Sequence, residues 1–171
     1  MGPDCDTWRW SSDDNRGAWL MTAATSPSAA TAIHILVERC RADGYPPMVA
    51  RMRSGWVVMG ERQVFAGYCL LLPDPVVPHL NALALGCRDQ FLCDMALLGD
   101  AILASTGAVR INYALFGNLE PALHAHVFPR YAQEPAATRT AQPWSLDWSV
   151  APEYSVALHG DLKLRIAAGL V

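Results

Sequence analysis

The sequence predicts an α+β domain, an antiparallel sheet with helices packed on one side. Two observations and the order of the elements predict it. Between Arg88 and Ser105, Phe91, Met95, Leu98 and Ile102 recur at i, i+4, i+7 and i+11, the apolar stripe of a core-facing helix. Two other stretches, Val49 to Leu72 and Arg110 to Tyr131, are rich in β-branched and aromatic residues and are broken by turn formers, as antiparallel strand pairs are. A chain of 171 residues with 52% apolar and 17% charged content can bury one sizeable core. One domain over 28–171 is expected, preceded by an extension over 1–27.

The extension mixes aromatics with turn formers in WRWSSDDNRGAW. Trp8, Trp10 and Trp19 make it too apolar for a purely solvated tail, so it is expected to pack over the core or across a subunit interface. Ser28 is placed to cap a helix from about Ala29 to Ala42, where Ile33, Leu36, Val37 and Cys40 recur at helical spacing and Gly44 is the stop. His34 falls in this helix and is given no role. Pro46 and Pro47 then break the chain. Val49 to Met59 and Val64 to Leu72 read as two antiparallel strands around a turn at Gly60 and Glu61. Arg51 and Arg53 alternate with Ala50 and Met52, which makes either a solvated face or a phosphate-facing edge. Pro73 to Leu83 is a proline-rich loop carrying His79. Gly107 ends the long helix.

Arg110 to Tyr131, RINYALFGNLEPALHAHVFPRY, reads as a strand, a tight polar turn and a second strand. Ala132 to Pro143 is proline-broken loop, and WSLDWS (Trp144 to Ser149) continues irregularly over the surface. A last helix from about Ser155 to Leu170 carries Leu158, Leu162, Leu164, Ile166 and Leu170.

Composition also narrows function. A net charge of -3 offers no basic footprint for a nucleic-acid polymer. Cys5, Cys40, Cys69, Cys87 and Cys93 are odd in number, scattered and without a CxxC pair. That argues against a disulfide framework and a thiolate zinc site, and fits a reducing cytosol. Met1 to Trp10 is acidic and aromatic rather than leader-like, and no apolar run is long enough to span a bilayer. The expectation is a cytoplasmic protein with no membrane partner.

The chemistry concentrates in the second strand of the central pair. His124 and His126 are separated by one residue, so in an extended strand both point to one face, about 6–7 Å apart along it. Paired imidazoles suit metal binding or proton and group transfer. No third ligand is convincingly spaced to complete a metal site, so neither metal nor other cofactor is expected. A neutral histidine can attack phosphorus and split one displacement into two. The Gly117-Asn118 turn offers close backbone approach and an amide donor, and Arg130 follows the histidines. The other reading is that both histidines are buried, satisfied strand residues, and that Arg130 is an ion-pairing residue that fixes the strand end.

The run LHAHVFPRY after Gly-Asn resembles the signature of the histidine triad (HIT) superfamily, His-φ-His-φ-His-φ-φ followed by Pro-Arg. Anchored on Pro129 and Arg130, His124 matches the second histidine, His126 the third, and Ala122 stands at the first. The stretch GYCLLLPDPVVPHLNAL is similar to the connection that leads into the family's long helix, and the resemblance covers about residues 48–131. It implies a sheet of about five strands with a long helix and a C-terminal helix packed on it. It also implies a homodimer that hydrolyses a nucleoside phosphate ester, anhydride or phosphoramidate, similar to the diadenosine tetraphosphate hydrolase-like members. His124 would be the nucleophile on the α-phosphate. His126 would contact the phosphate or leaving group, the main-chain carbonyl of Ala122 would orient the nucleophile, and Asn118 and Arg130 would contact phosphate. The small-molecule partner implied is a nucleotide. Because Ala122 replaces the first histidine, a nucleotide-binding module without turnover is the alternative, and a nucleotidyl transferase is another.

Overall fold

The computed structural model describes residues 30–42 and 44–170, so the expected extension over 1–27 lies outside the described residues. The strands are β1 (Met48–Arg51), β2 (Gly55–Met59), β3 (Cys69–Pro73), β4 (Arg110–Ala114) and β5 (Ala125–Arg130). They form one antiparallel sheet in the order β1-β2-β3-β5-β4. The helices are α1 (Ala32–Arg41), α2 (Leu85–Ser105), the short α3 (Ala136–Arg139) and α4 (Val156–Ala168). The α+β sheet with a long and a C-terminal helix is as expected.

Strand alternation divides the core in two. On one face Val57, Cys69, Leu71, Ala125 and Val127 meet Phe91, Leu98 and Ile102 of α2 and Ile166 of α4. On the other face Val58 and Leu72 meet Ile33, Val37 and Cys40 of α1. Helices therefore cover both faces, not one. Further along the second face, Phe65, Tyr68 and Phe128 make an aromatic cluster. Leu70, the cross-strand partner of His126, is packed by both groups, so the histidine strand runs between the α1 contact and the aromatic cluster.

Several boundaries differ from the sequence reading. The run read as one strand over Val49 to Met59 is a hairpin, because a tight turn closes between Met52 and Gly55 through Met52 N–H to the Gly55 carbonyl at 2.8 Å. Arg53 sits in that turn, and Arg51 lies over the Trp56 ring at 5.1 Å and near Asp74 at 3.9 Å. Asp94, placed off the apolar stripe of α2, is 2% exposed. It accepts from Ser54 N–H at 2.8 Å, Ser54 Oγ–H at 2.6 Å and Gln90 Nε2–H at 2.7 Å. Those bonds offset the cost of burying its carboxylate and moor the hairpin turn to the helix. Helix α1 is capped by Thr31, not Ser28, and His34 has a structural part: its Nδ1 accepts from Thr31 N–H at 3.3 Å in a capping box. The third strand begins only at Cys69, after a loop over 60–68. The link between β4 and β5 is residues 115–124 rather than a tight turn. Cys40, Cys69 and Cys93 are free thiols, whereas Cys87 is disulfide-bonded, a bond its spacing did not predict.

Candidate active site

The run 122–124 is pinned before β5 begins. Leu123 donates its N–H to the Val77 carbonyl at 2.7 Å, which ties it to the proline-rich loop. Ala122 is packed under α1 with Val58 and Leu72. His124 follows, 6% exposed, and His126 stands one pleat further on, inside the strand. Their ring centroids are 4.7 Å apart with the planes crossed at 73°.

The ring nitrogens decide what this pair can do. Nδ1 of His124 lies 2.8 Å from the main-chain oxygen of Ala122. A carbonyl only accepts, so Nδ1 carries the proton and the neutral ring keeps its lone pair on Nε2. Among the described residues no protein group hydrogen-bonds that Nε2, and it is not one of the buried side-chain atoms left unpartnered, Arg88 Nε and Glu120 Oε1. A cavity of about 290 Å³ has His79, Leu80, Phe116, Gly117 and His124 in its wall.

His126 has a different environment. Its Nδ1 is 2.6 Å from the hydroxyl of Tyr68. Burial pushes its pKa down to about 4, and the neighbouring His124 adds to the fall. Burial raises the Tyr68 pKa above its usual value, so at neutral pH the ring is uncharged and the phenol protonated. The surroundings are aromatic. Trp144 meets the His126 ring edge-on at 5.1 Å, and its own ring is met by Phe116 at 4.7 Å and Phe128 at 5.3 Å.

Of the residues singled out from sequence, His124, His126 and the Ala122 carbonyl come together. Asn118 lies on the exposed loop next to Gly117, and Gly117 rather than Asn118 lines the cavity. Arg130 shares a strand face with His126 but lies at the far end of β5. It is 7% exposed, and its guanidinium is engaged by the Glu134 carboxylate at 2.6 Å and by the carbonyls of Thr138, Arg139 and Ala141. That is the geometry of an ion-pairing residue that fixes the chain leaving the strand. Among the described residues no group of three or more His, Cys, Asp or Glu side chains is placed to hold a metal ion.

Tyr68, Phe116 and Trp144 belong to the site and were not read from the sequence. Tyr68 reaches His126 only through the register that pairs Cys69 with Val127 and Leu70 with His126. Trp144 arrives on a short 3-10 turn, Pro143–Ser145, whose spacing carries no strand or helix period. His79, carried by the proline-rich loop, is exposed and lines the cavity.

Solved structures share this architecture. A histidine triad (HIT) protein from Sinorhizobium meliloti matches with a TM-score of 0.63 at 21% identity, over 77% of this chain and 93% of its own. A histidine triad protein from Bradyrhizobium japonicum matches with a TM-score of 0.65 at 16% identity, over 83% and 99%. A hypothetical histidine triad nucleotide-binding protein from Sulfolobus tokodaii strain 7 matches with a TM-score of 0.59 at 14% identity, over 78% and 88%. No protein-family model matches the chain, and no curated protein does so significantly. At these identities the likeness establishes the fold.

Proposed function

We propose that the chain is a histidine triad enzyme of the diadenosine tetraphosphate hydrolase-like kind, which cleaves a nucleoside phosphate ester, anhydride or phosphoramidate at the α-phosphorus. The observation that carries this reading is the 2.8 Å contact between His124 Nδ1 and the Ala122 carbonyl. It holds the ring with Nε2 free to attack, and needs only the main chain of the first triad position. The Sulfolobus tokodaii neighbour, described as nucleotide-binding, supports the substrate class.

In the proposed reaction the Nε2 lone pair of His124 forms a bond to phosphorus as the bond to the leaving oxygen or nitrogen breaks. His126 donates a hydrogen bond from its ring N–H to the phosphoryl oxygens or the leaving group, which takes its proton from solvent as it departs. Water then attacks the nucleotidyl-histidine, loses a proton to solvent and frees His124. Asn118 is kept as a candidate for the phosphate, and Arg130 acts through the segment it braces.

A second copy of this chain is the proposed macromolecular partner. Support comes from β4, an edge strand whose flank exposes Tyr113, Leu115 and Phe116; light scattering on the purified protein tests it. The reaction is assigned to the cytoplasm, where Cys40, Cys69 and Cys93 stay thiols, and cell fractionation tests this against the disulfide at Cys87.

The function is tested by intact-mass spectrometry after brief incubation with diadenosine tetraphosphate or adenosine phosphoramidate. One transient nucleotidyl adduct with released mononucleotide is expected, and both are lost in His124→Ala. Turnover retained in His124→Ala removes the covalent mechanism. Binding without adduct or product across a nucleotide panel replaces the enzyme with a binding module.

A further inference from the structure

We propose that Tyr68 is a positioning residue that holds His126 as the tautomer with its proton on Nε2, facing away from Tyr68. The catalytic use of that proton rests on the reaction proposed above; the tautomer itself does not.

The argument starts from hydrogen-bond accounting. A neutral imidazole has one donor and one acceptor, and the Tyr68 hydroxyl can serve as either. Suppose Nδ1 of His126 donated to the phenolic oxygen. The phenol proton would then need its own acceptor, and among the described residues His126 is the one partner of that hydroxyl. Tyr68 is 3% exposed, so a stranded O–H would cost about 1–3 kcal/mol. In the other arrangement Tyr68 donates to Nδ1, the phenol proton and Nδ1 are both satisfied by the 2.6 Å bond, and Nε2 is left protonated. The second arrangement wins.

The loop that delivers Tyr68 is built to hold it. The Tyr68 ring stacks on Phe128 at 4.4 Å with an 11° tilt, and Trp148 closes its edge at 5.7 Å. Its carbonyl accepts from Gly60 N–H at 3.0 Å and from Gln63 Nε2–H at 3.0 Å. Gln63 is buried and its Oε1 accepts from Gly67 N–H at 2.9 Å, so one amide spans the loop from both ends. Glycine is required at position 60 by close approach, since a Cβ there would lie 2.2 Å from the Tyr68 ring. A phenol fixed on three sides gives His126 little freedom to flip.

The consequence is a division of labour between two imidazoles. His124, with its proton on Nδ1, keeps an Nε2 lone pair, while His126, with its proton on Nε2, is a donor. A nucleophile and a hydrogen-bond donor then stand next to each other at the start of β5, set by two different acceptor and donor partners, Ala122 and Tyr68.

The test is a long-range 15N–1H correlation spectrum of the imidazoles in the unliganded protein at neutral pH, with His126→Gln to assign the signals. The expected result is a protonated Nε2 and an unprotonated Nδ1 on His126. In Tyr68→Phe, which keeps the ring and its stacking, the signals are expected to move to a mixture of tautomers. A His126 protonated on Nδ1 in the wild type, or one whose tautomer ignores Tyr68→Phe, overturns the proposal. Kinetics add an independent readout: Tyr68→Phe is expected to lower kcat about ten-fold with KM nearly unchanged, the worth of one ordering hydrogen bond. A loss confined to stability, with the tautomer and kcat intact, means that Tyr68 is only packing. If the wild type forms no nucleotidyl adduct yet shows the expected tautomers, the hydrolase reading fails while the role of Tyr68 stands.

Discussion

Nδ1 of His124 and the main-chain oxygen of Ala122, 2.8 Å apart, form the contact on which the candidate chemistry turns. A backbone carbonyl is available whatever side chain stands at that position, so alanine at 122 supplies the orienting acceptor as well as any other residue would. The imidazole spectrum is therefore expected to show His124 protonated on Nδ1, the opposite tautomer to His126. A His124 ring protonated on Nε2 would leave no lone pair on that nitrogen and would remove the nucleophile assignment.

A histidine placed at position 122 is expected to harm the protein. Ala122 is 2% exposed and packed with Ile33, Val37, Val58 and Leu72 beneath α1. Ala122→His forces an imidazole into that contact, overpacking it and burying polar atoms without partners. A loss of roughly 2–4 kcal/mol is expected, read as a lower urea midpoint. An unchanged midpoint with higher turnover would mean that the position had room and that only the side chain was lacking.

How much of this was legible follows from what each residue depends on. The α2 stripe of Phe91, Leu98 and Ile102 is local periodicity, and its helix was readable to within a turn. His124 and His126 were readable because one strand places them and a short signature accompanies them. The hairpin at Met52 and Gly55 was signalled only by the dipeptide Ser54-Gly55 within a longer run, and the Asp94 that moors its turn lies far along the chain. Tyr68 and Trp144 were hidden for the same reason: strand register and tertiary packing, not spacing, bring them to His126. Arg130 was legible as a choice between two roles, and only its surroundings show where its donors point.

Those surroundings give a prediction that separates the two roles. Arg130 and Glu134 are an ion pair at 2.6 Å, with 8% and 9% of their side chains exposed. Removing either partner leaves the other charge buried, so Arg130→Ala and Glu134→Ala are each expected to lower stability by about 3–5 kcal/mol. The paired replacement Arg130→Met with Glu134→Leu is expected to cost less than either single change. Thermal unfolding of the three variants checks this. A phosphate-binding Arg130 would behave otherwise: Arg130→Ala would raise KM, while Glu134→Ala left both KM and stability near the wild type.

Acid should weaken the fold through His126, and the sign follows from its environment. Burial first, and His124 second, hold the ring neutral down to about pH 4 in the folded chain. In the unfolded chain an imidazole titrates near about 6.5. Between those values the unfolded state binds a proton that the folded state refuses, so stability falls as pH falls through the window and loses nothing more from this group below it. The loss is on the order of 2 kcal/mol, less than the full shift would give because the ring keeps some contact with solvent. Urea midpoints at intervals from neutral pH to about pH 4 check it. The wild type is expected to lose stability across the window more steeply than His126→Gln, which carries no titrating ring there. Parallel curves for the two proteins would place the acid-sensitive group elsewhere and would mean that His126 is better solvated than its aromatic shell of Tyr68, Phe128 and Trp144 implies.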